Sequence, residues 1–122
     1  MKRLGIFLAL AITLPVLAQS KTVGSHGPDC SGGWPTNMAF VHLKNEGITT
    51  NDKIDFSKTK TVRLASEQAG KNLYHQVYYV RFTEKSGNSI EAIAVHDASP
   101  EECSMTGVEV FVVSKHLNPE RQ

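Results

Sequence analysis

The chain has 122 residues, with 13 basic and 12 acidic side chains and a formal net charge of +1 at pH 7. Its charges are scattered, so it lacks the basic surface with which proteins bind nucleic acid or anionic membranes. A chain of this length forms one domain with little stability to spare. We therefore predict a single small domain with no nucleic-acid partner.

The first 18 residues have the pattern of a secretory signal peptide. Lys2 and Arg3 form a short basic region, residues 4–17 are almost wholly apolar, and Val16 and Ala18 are the small residues expected before a cleavage site. The apolar run is shorter than the ~20 residues that a spanning helix needs, although an uncleaved anchor is the alternative. Cleavage predicts a periplasmic or secreted protein that does not insert into a membrane afterwards.

The chain contains only two cysteines, Cys30 and Cys103. Exported proteins meet an oxidising compartment, where two thiols generally form a disulfide. On the chain-entropy model, closing so long a loop stabilises the fold by roughly 4–5 kcal/mol. The alternative is a redox-active pair, but such cysteines usually lie close together in sequence. We predict a structural disulfide between Cys30 and Cys103.

A polar arm and then a helix follow the signal peptide. Residues 19–29 are polar and glycine-containing, which predicts a flexible arm. Pro35 is typical of the first turn of a helix. Gly47 is typical of the left-handed residue that ends a helix, and Ile48 just beyond it can pack back on Leu43. Between them, apolar and small side chains recur at helical spacing, so residues 35–46 are predicted to be helical. These side chains are Thr36, Ala39, Phe40 and Leu43.

Trp34 precedes this helix. We expect it to pack in the core beside Cys30, and stacking on a ligand is the alternative.

Four segments have strand character because β-branched and aromatic residues alternate with others. They comprise residues 61–66, 73–83, 89–97 and 108–117. Residues 67–72 are predicted to form a turn, and the short connections between the first three strands make them antiparallel neighbours. A hairpin centred on Ser86 would place His75 opposite Asp97.

The connection before the last strand contains Ser99, Pro100 and Glu102. This spacing fits a capping box with proline in the first turn, and predicts one helical turn that presents Cys103. A bridge from Cys103 to Cys30 would then tie the entrance of the main helix to this connection.

Together these elements predict an α+β domain over residues 30–118, in which one N-terminal helix packs on a four-stranded antiparallel sheet. Residues 119–122 are predicted to form a disordered tail. The order of a helix followed by a β-meander resembles that of cystatin-like folds, although no cystatin motif is present. The resemblance implies a layout and no activity.

Both faces of the predicted sheet are apolar. In the last strand, Val110 and Val112 point to one side, and Phe111 and Val113 point to the other. One helix covers only one face. The second face requires the N-terminal arm, a curled sheet, a second subunit or another partner to cover it.

The sequence contains no pattern that indicates catalysis. It has no G-x-S-x-G elbow, no glycine-rich phosphate loop and no histidine spacing typical of a metal site. We predict no catalytic residue, no metal and no cofactor. A His75–Asp97 pair would be either a base with its orienting carboxylate or a cross-strand polar pair.

We expect a binding protein, of the inhibitor or immunity type, that contacts another protein of the cell envelope or outside it and is not an enzyme. The first alternative is a non-inhibitory accessory protein of the envelope, with a homodimer as one arrangement. The second is a small hydrolase that uses a histidine and a carboxylate. The candidate binding surface comprises Trp34, Tyr74, His75, Tyr78, Tyr79 and Asp97.

Overall fold

One helix and four strands form the fold, in the order predicted from the sequence. The computed structural model describes Gly5 and residues 27–114. The strands form one antiparallel sheet in the order β1-β2-β3-β4, and the helix packs on one side of it, which confirms the α+β prediction. The elements are α1 Trp34–Asn45, the 3-10 helix Phe56–Lys58, β1 Lys60–Gly70, β2 Leu73–Thr83, β3 Ser89–Ala98 and β4 Glu109–Val113.

Several predicted segments lie outside the described residues. They are the signal peptide apart from Gly5, residues 19–26 of the arm, residues 115–118 at the end of the predicted last strand and domain, and the tail at 119–122. Within the described part of the chain, no helix is long and apolar enough to cross a membrane.

Helix α1 begins and ends as its sequence dictates. Pro35 lies in the first turn, where a missing N–H costs no intrahelical bond. At the other end, Ile48 donates its backbone N–H to the Leu43 carbonyl at 2.9 Å, and Gly47 donates to Lys44 at 3.0 Å. Gly47 has φ of 72°, so these two bonds form the predicted Schellman end. The helix lies one residue earlier than predicted.

Strand β1 is longer than the sequence indicated, so the turn predicted over residues 67–72 is wrong in extent. The strand continues to Gly70, and the reversal is confined to Lys71 and Asn72, the latter with φ of 57°. The polar residues of this edge strand pair with β2 through their backbones, which requires no apolar side chain. The pairing shifts register twice, between Arg63 and Ala65 and between Gln68 and Gly70.

The hairpin between β2 and β3 has the predicted register. His75 pairs with Asp97, and Tyr79 pairs with Ile93. Strand β2 has the predicted bounds, and β3 extends one residue further, to Ala98. The connection uses Gly87 at φ of 98°, a conformation that favours glycine.

The connection from β3 to β4 forms a turn and not the predicted helical turn. Ser99 Oγ accepts the Glu102 N–H at 3.0 Å, as in a capping box. However, the Ser99 N–H donates back to the Glu102 carbonyl at 2.8 Å, which closes a tight loop where a helix would continue. Strand β4 covers five residues, Glu109–Val113, so it is shorter than the predicted strand within the described chain.

The predicted disulfide between Cys30 and Cys103 is present, across 73 residues of sequence. It joins the residues just before α1 to the connection that precedes β4. Cys30 is buried, and its backbone N–H donates to the Tyr78 hydroxyl at 2.9 Å. The bridge therefore fixes the start of the helix on the sheet, as the sequence suggested.

The last residues of the predicted flexible arm belong to the fold. The Pro28 carbonyl accepts hydrogen bonds from Gln76 Nε2 at 2.8 Å and from an Arg63 guanidinium nitrogen at 3.0 Å. Gly27 lies against the Tyr74 ring, where an added Cβ would come within 2.6 Å of the ring. Residues 27–29 are thus held on the same side of the sheet as the helix.

Candidate binding face of the sheet

The two faces of the sheet differ because side chains alternate along each strand. One face, called here the covered face, lies under α1 and presents Tyr78, Val80 and Phe82 from β2, each 1% exposed or less. Ala92 and Ala94 of β3 leave room for the helix to approach this face. The core of the domain therefore lies between the helix and the covered face.

The opposite face, called here the open face, carries a second apolar surface. One cross-strand row runs through all four strands, because Val62 pairs with Tyr79, Tyr79 with Ile93, and Ile93 with Phe111. The flanking row pairs Val77 with Val95. Val62 is 52% exposed and Phe111 is 56% exposed. Within residues 27–114, no helix or strand packs over this face.

Charged side chains lie at both ends of the open face. At one end, Arg81 pairs with Glu91 across β2 and β3. Both are held in place, since Glu91 accepts from the Tyr79 hydroxyl at 2.8 Å and Arg81 donates to Ser89 Oγ at 3.2 Å. At the other end His75 pairs with Asp97. The face therefore has an apolar centre between two charged ends.

His75 and Asp97 are in direct contact, as their predicted register required. His75 Nδ1 lies 2.6 Å from Asp97 Oδ1, and the Asp97 backbone N–H donates to Thr106 Oγ1 at 2.9 Å. A cavity of about 300 Å³ adjoins the pair. Among residues 27–114, the His75 ring has no hydrogen bond to a serine, threonine or cysteine that could serve as a nucleophile.

The predicted binding surface divides between the two faces. Tyr79, His75 and Asp97 lie together on the open face. Tyr78 is fully buried on the covered face, so its assignment to a binding surface is wrong. Its hydroxyl accepts from Cys30 and donates to Gln76 Oε1 at 2.8 Å, which is a structural role.

Trp34 and Tyr74 also lie away from the open face. Trp34 packs half-buried against the core, and its Nε1–H donates to the Thr106 carbonyl at 3.0 Å. Tyr74 contacts Gly27 on the helix side of the sheet. Neither side chain joins the cluster around Tyr79.

The sequence-based surface omitted most of the apolar row, namely Val62, Ile93 and Phe111. The signal was available in the alternation of both β3 and β4. The register that pairs Tyr79 with Ile93 follows from the same hairpin centre that pairs His75 with Asp97. The predicted surface comprised aromatic and ionisable residues of the helix start, β2 and β3, so it excluded the aliphatic side chains and the aromatic residue of β4.

A separate cavity of about 600 Å³ opens beside the start of α1. Its apolar wall consists of Phe40, Phe56 and Phe82, with the Phe40 and Phe56 rings edge to face at 5.0 Å. Hydroxyl groups line the other side, including Thr36 and Thr61, whose Oγ1 atoms are 2.7 Å apart. This crevice lies on the helix side of the sheet.

His96 is the buried titratable group of the covered face. Its Nε2 lies 3.2 Å from Gln76 Oε1, and its Nδ1 has no hydrogen bond of standard geometry among residues 27–114. Burial, more than any other cause, lowers the pKa of His96 below 6.5, because the interior disfavours the charged ring. The ring therefore remains neutral in the folded protein near neutral pH.

Comparisons of the chain with protein families, with curated proteins and with solved structures find no match. Among the described residues, no three histidine, cysteine or carboxylate side chains are grouped so that they could hold a metal ion. A function for this chain therefore rests on its fold and its surfaces.

Proposed function

We propose that this is an exported binding protein that acts by protein–protein contact, of the inhibitor or immunity type, through the open face of its sheet. The observation that carries the proposal is the row Val62–Tyr79–Ile93–Phe111, an apolar surface that crosses the whole sheet. Monomeric proteins rarely expose so continuous an apolar area without using it.

The distribution of charge supports a protein as the partner. Protein interfaces combine an apolar centre with a polar rim of both signs. Arg81 and Glu91 at one end, with His75 and Asp97 at the other, give the open face this composition. A nucleic-acid surface would instead require clustered lysine and arginine.

The disulfide supports a location outside the cytoplasm. A Cys30–Cys103 bridge is compatible with an oxidising compartment, where such bonds persist. Together with the signal-peptide pattern of residues 1–18, it favours the periplasm or the exterior as the place where the partner is met.

A comparison of two phenylalanine variants tests the proposal. Phe111 and Phe56 are 56% and 48% exposed, but only Phe111 lies on the open face. We expect immobilised mature protein to capture a specific protein from the extracytoplasmic fraction of its own cells. Phe111→Ser should abolish this capture, whereas the matched control Phe56→Ser should retain it. Equal capture by both variants would refute a role for the open face.

The His75–Asp97 pair favours a small hydrolase as the second candidate. The 2.6 Å contact and the adjoining cavity provide a base and a space for substrate. This candidate ranks lower because, in the described chain, no nucleophilic side chain is hydrogen-bonded to His75. Loss of a hydrolytic activity in His75→Ala, with an unchanged melting temperature, would replace the binding proposal with this one.

A further inference from the structure

We propose that, in the free protein, a second copy of the chain covers the open face, related to the first by a two-fold axis along the strands between β2 and β3. The inference rests on the proposed function, since it takes the open face to be a binding surface and names one occupant. Such a dimer is isologous, so the same residues must complement themselves across the axis.

The apolar rows satisfy this requirement. An axis between β2 and β3 places β2 of one copy over β3 of the other. Val77 of one copy then faces Val95 of the other, and Tyr79 faces Ile93, because these residues are cross-strand partners within each sheet. Val62 and Phe111, at the two edges of the central row, face each other in the same way. Apolar side chains therefore meet apolar side chains along the whole central row and in the middle of the flanking row, whose β4 end is Glu109.

The charged residues select the direction of the axis. With the axis along the strands, Arg81 and Glu91 of both copies form a cluster of two positive and two negative charges. A two-fold axis across the strands would instead exchange the two ends of the face. It would bring Glu91 of one copy over Asp97 of the other and Phe111 over Glu109, and only Lys60 over Glu67 would favour it. Like charges facing each other disfavour that arrangement.

The size of the face sets the expected affinity. Four strands at about 4.8 Å spacing, with rows from residue 75 to residue 81, cover about 19 Å by 20 Å. Two such faces bury about 800 Å² as flat areas. Because projecting side chains add accessible surface, the buried area comes near the ~1,200 Å² of the smallest specific interfaces. We therefore expect a dimer with a dissociation constant on the order of 1–100 μM.

Charge reversal provides a test that depends on the symmetry. Arg81→Glu gives a cluster of four negative charges in a homodimer, and Glu91→Arg gives four positive charges. We expect wild-type protein to dimerise in sedimentation equilibrium, and each variant alone to dimerise at least tenfold more weakly. An equimolar mixture of the two variants should dimerise again, because each heterodimer restores two charges of each sign.

Matched reversals away from the face supply the control. Lys44 and Glu46 are exposed at the end of α1, on the other side of the sheet. Lys44→Glu and Glu46→Arg should each dimerise like the wild type, and mixing them should change nothing. A mixture of Arg81→Glu and Glu91→Arg that sediments no differently from its separate components would overturn the proposed axis.

The result separates this inference from the proposed function. Wild-type protein that stays monomeric up to about 1 mM, far above the expected dissociation constant, overturns the dimer. If Phe111→Ser still abolishes capture of a different protein, the binding role of the open face stands without the dimer. If capture is also unaffected by that variant, both ideas fail together.

Discussion

The covered and open faces of the sheet are built from the same alternating strands, yet they differ in how far their apolar side chains are exposed to water. On the covered face, Tyr78, Val80 and Phe82 are excluded from water by the helix and the disulfide. On the open face, Val62 and Phe111 remain more than half exposed. The first face contributes more to the stability of the monomer, because hydrophobic stabilisation follows the apolar area removed from water. The second face leaves much of its apolar area in water, and the proposed binding role would bury that area.

The largest expected effect is a difference in stability between the same substitution, phenylalanine to alanine, on the two faces. Phe82→Ala should lower the free energy of unfolding by about 3–5 kcal/mol, because it leaves a cavity in the core. Phe111→Ala should change it by less than about 0.5 kcal/mol under dilute conditions, since the ring is exposed in the monomer. Chemical denaturation at low protein concentration measures both. Equal losses would mean that the open face is part of the core.

Removing the disulfide tests how far the covered face depends on its crosslink. Cys30→Ser combined with Cys103→Ser should cost about 2–5 kcal/mol, because the unfolded chain gains the freedom of a long loop. Thermal unfolding of the double variant, compared with the oxidised wild type, measures this loss. Where the double variant remains folded, its open-face binding should be unchanged. A loss of binding in the folded variant would show that the two faces are coupled.

Two adjacent tyrosines point to opposite faces and give a smaller contrast. Tyr78→Phe removes a hydroxyl that bonds the buried Cys30 N–H and Gln76, and should cost about 1–3 kcal/mol. Tyr79→Phe removes a bond to Glu91 that water can replace, and should cost less than about 1 kcal/mol. Denaturation midpoints of the two variants test this order. A larger loss in Tyr79→Phe would contradict it.

The buried His96 on the covered face is expected to make stability depend on pH. Burial lowers the pKa of His96 below 6.5, so the unfolded chain takes up this proton at a higher pH than the folded protein. The free energy of unfolding should therefore fall as the pH drops below 6.5. Asp97 and the Cys103 backbone oppose the shift, and His75 adds to it.

Urea titrations between about pH 5 and pH 8, the range in which histidine titrates, measure this slope. His96→Gln should flatten it relative to the wild type. The exposed His42 on the helix gives the matched control, and His42→Gln should retain the His96 contribution. An unchanged slope in His96→Gln would exclude His96 as its source.

The sequence predicted those parts of the fold in which local pattern and tertiary contact agree. Strand β2 is rich in aromatic and β-branched residues, and its bounds were predicted without error. The Schellman end at Gly47 required only local chemistry. In contrast, β1 continued through Glu67 and Gln68, because pairing with β2 is a tertiary interaction that their polar side chains do not reveal.

The candidate site was predictable only in part, because the burial of a side chain on one face depends on whether another element packs over that face. The register that joins His75 to Asp97 followed from the hairpin centre. Tyr78 and Tyr79 are chemically identical, and alternation showed only that they differ in direction. Which of them becomes buried is decided by the side on which α1 packs, and that required the three-dimensional fold.

The two register shifts in β1 have a consequence for how copies of this protein can meet. An uninterrupted edge strand offers a row of backbone donors and acceptors on which further strands can add without limit, as in fibrils. The bulges at Leu64 and Ala69 break that row and bend the strand, so the long edge of the sheet is a poor template for polymerisation. The proposed dimer would therefore close at two copies, since it uses the open face and adds no strand at the β1 edge.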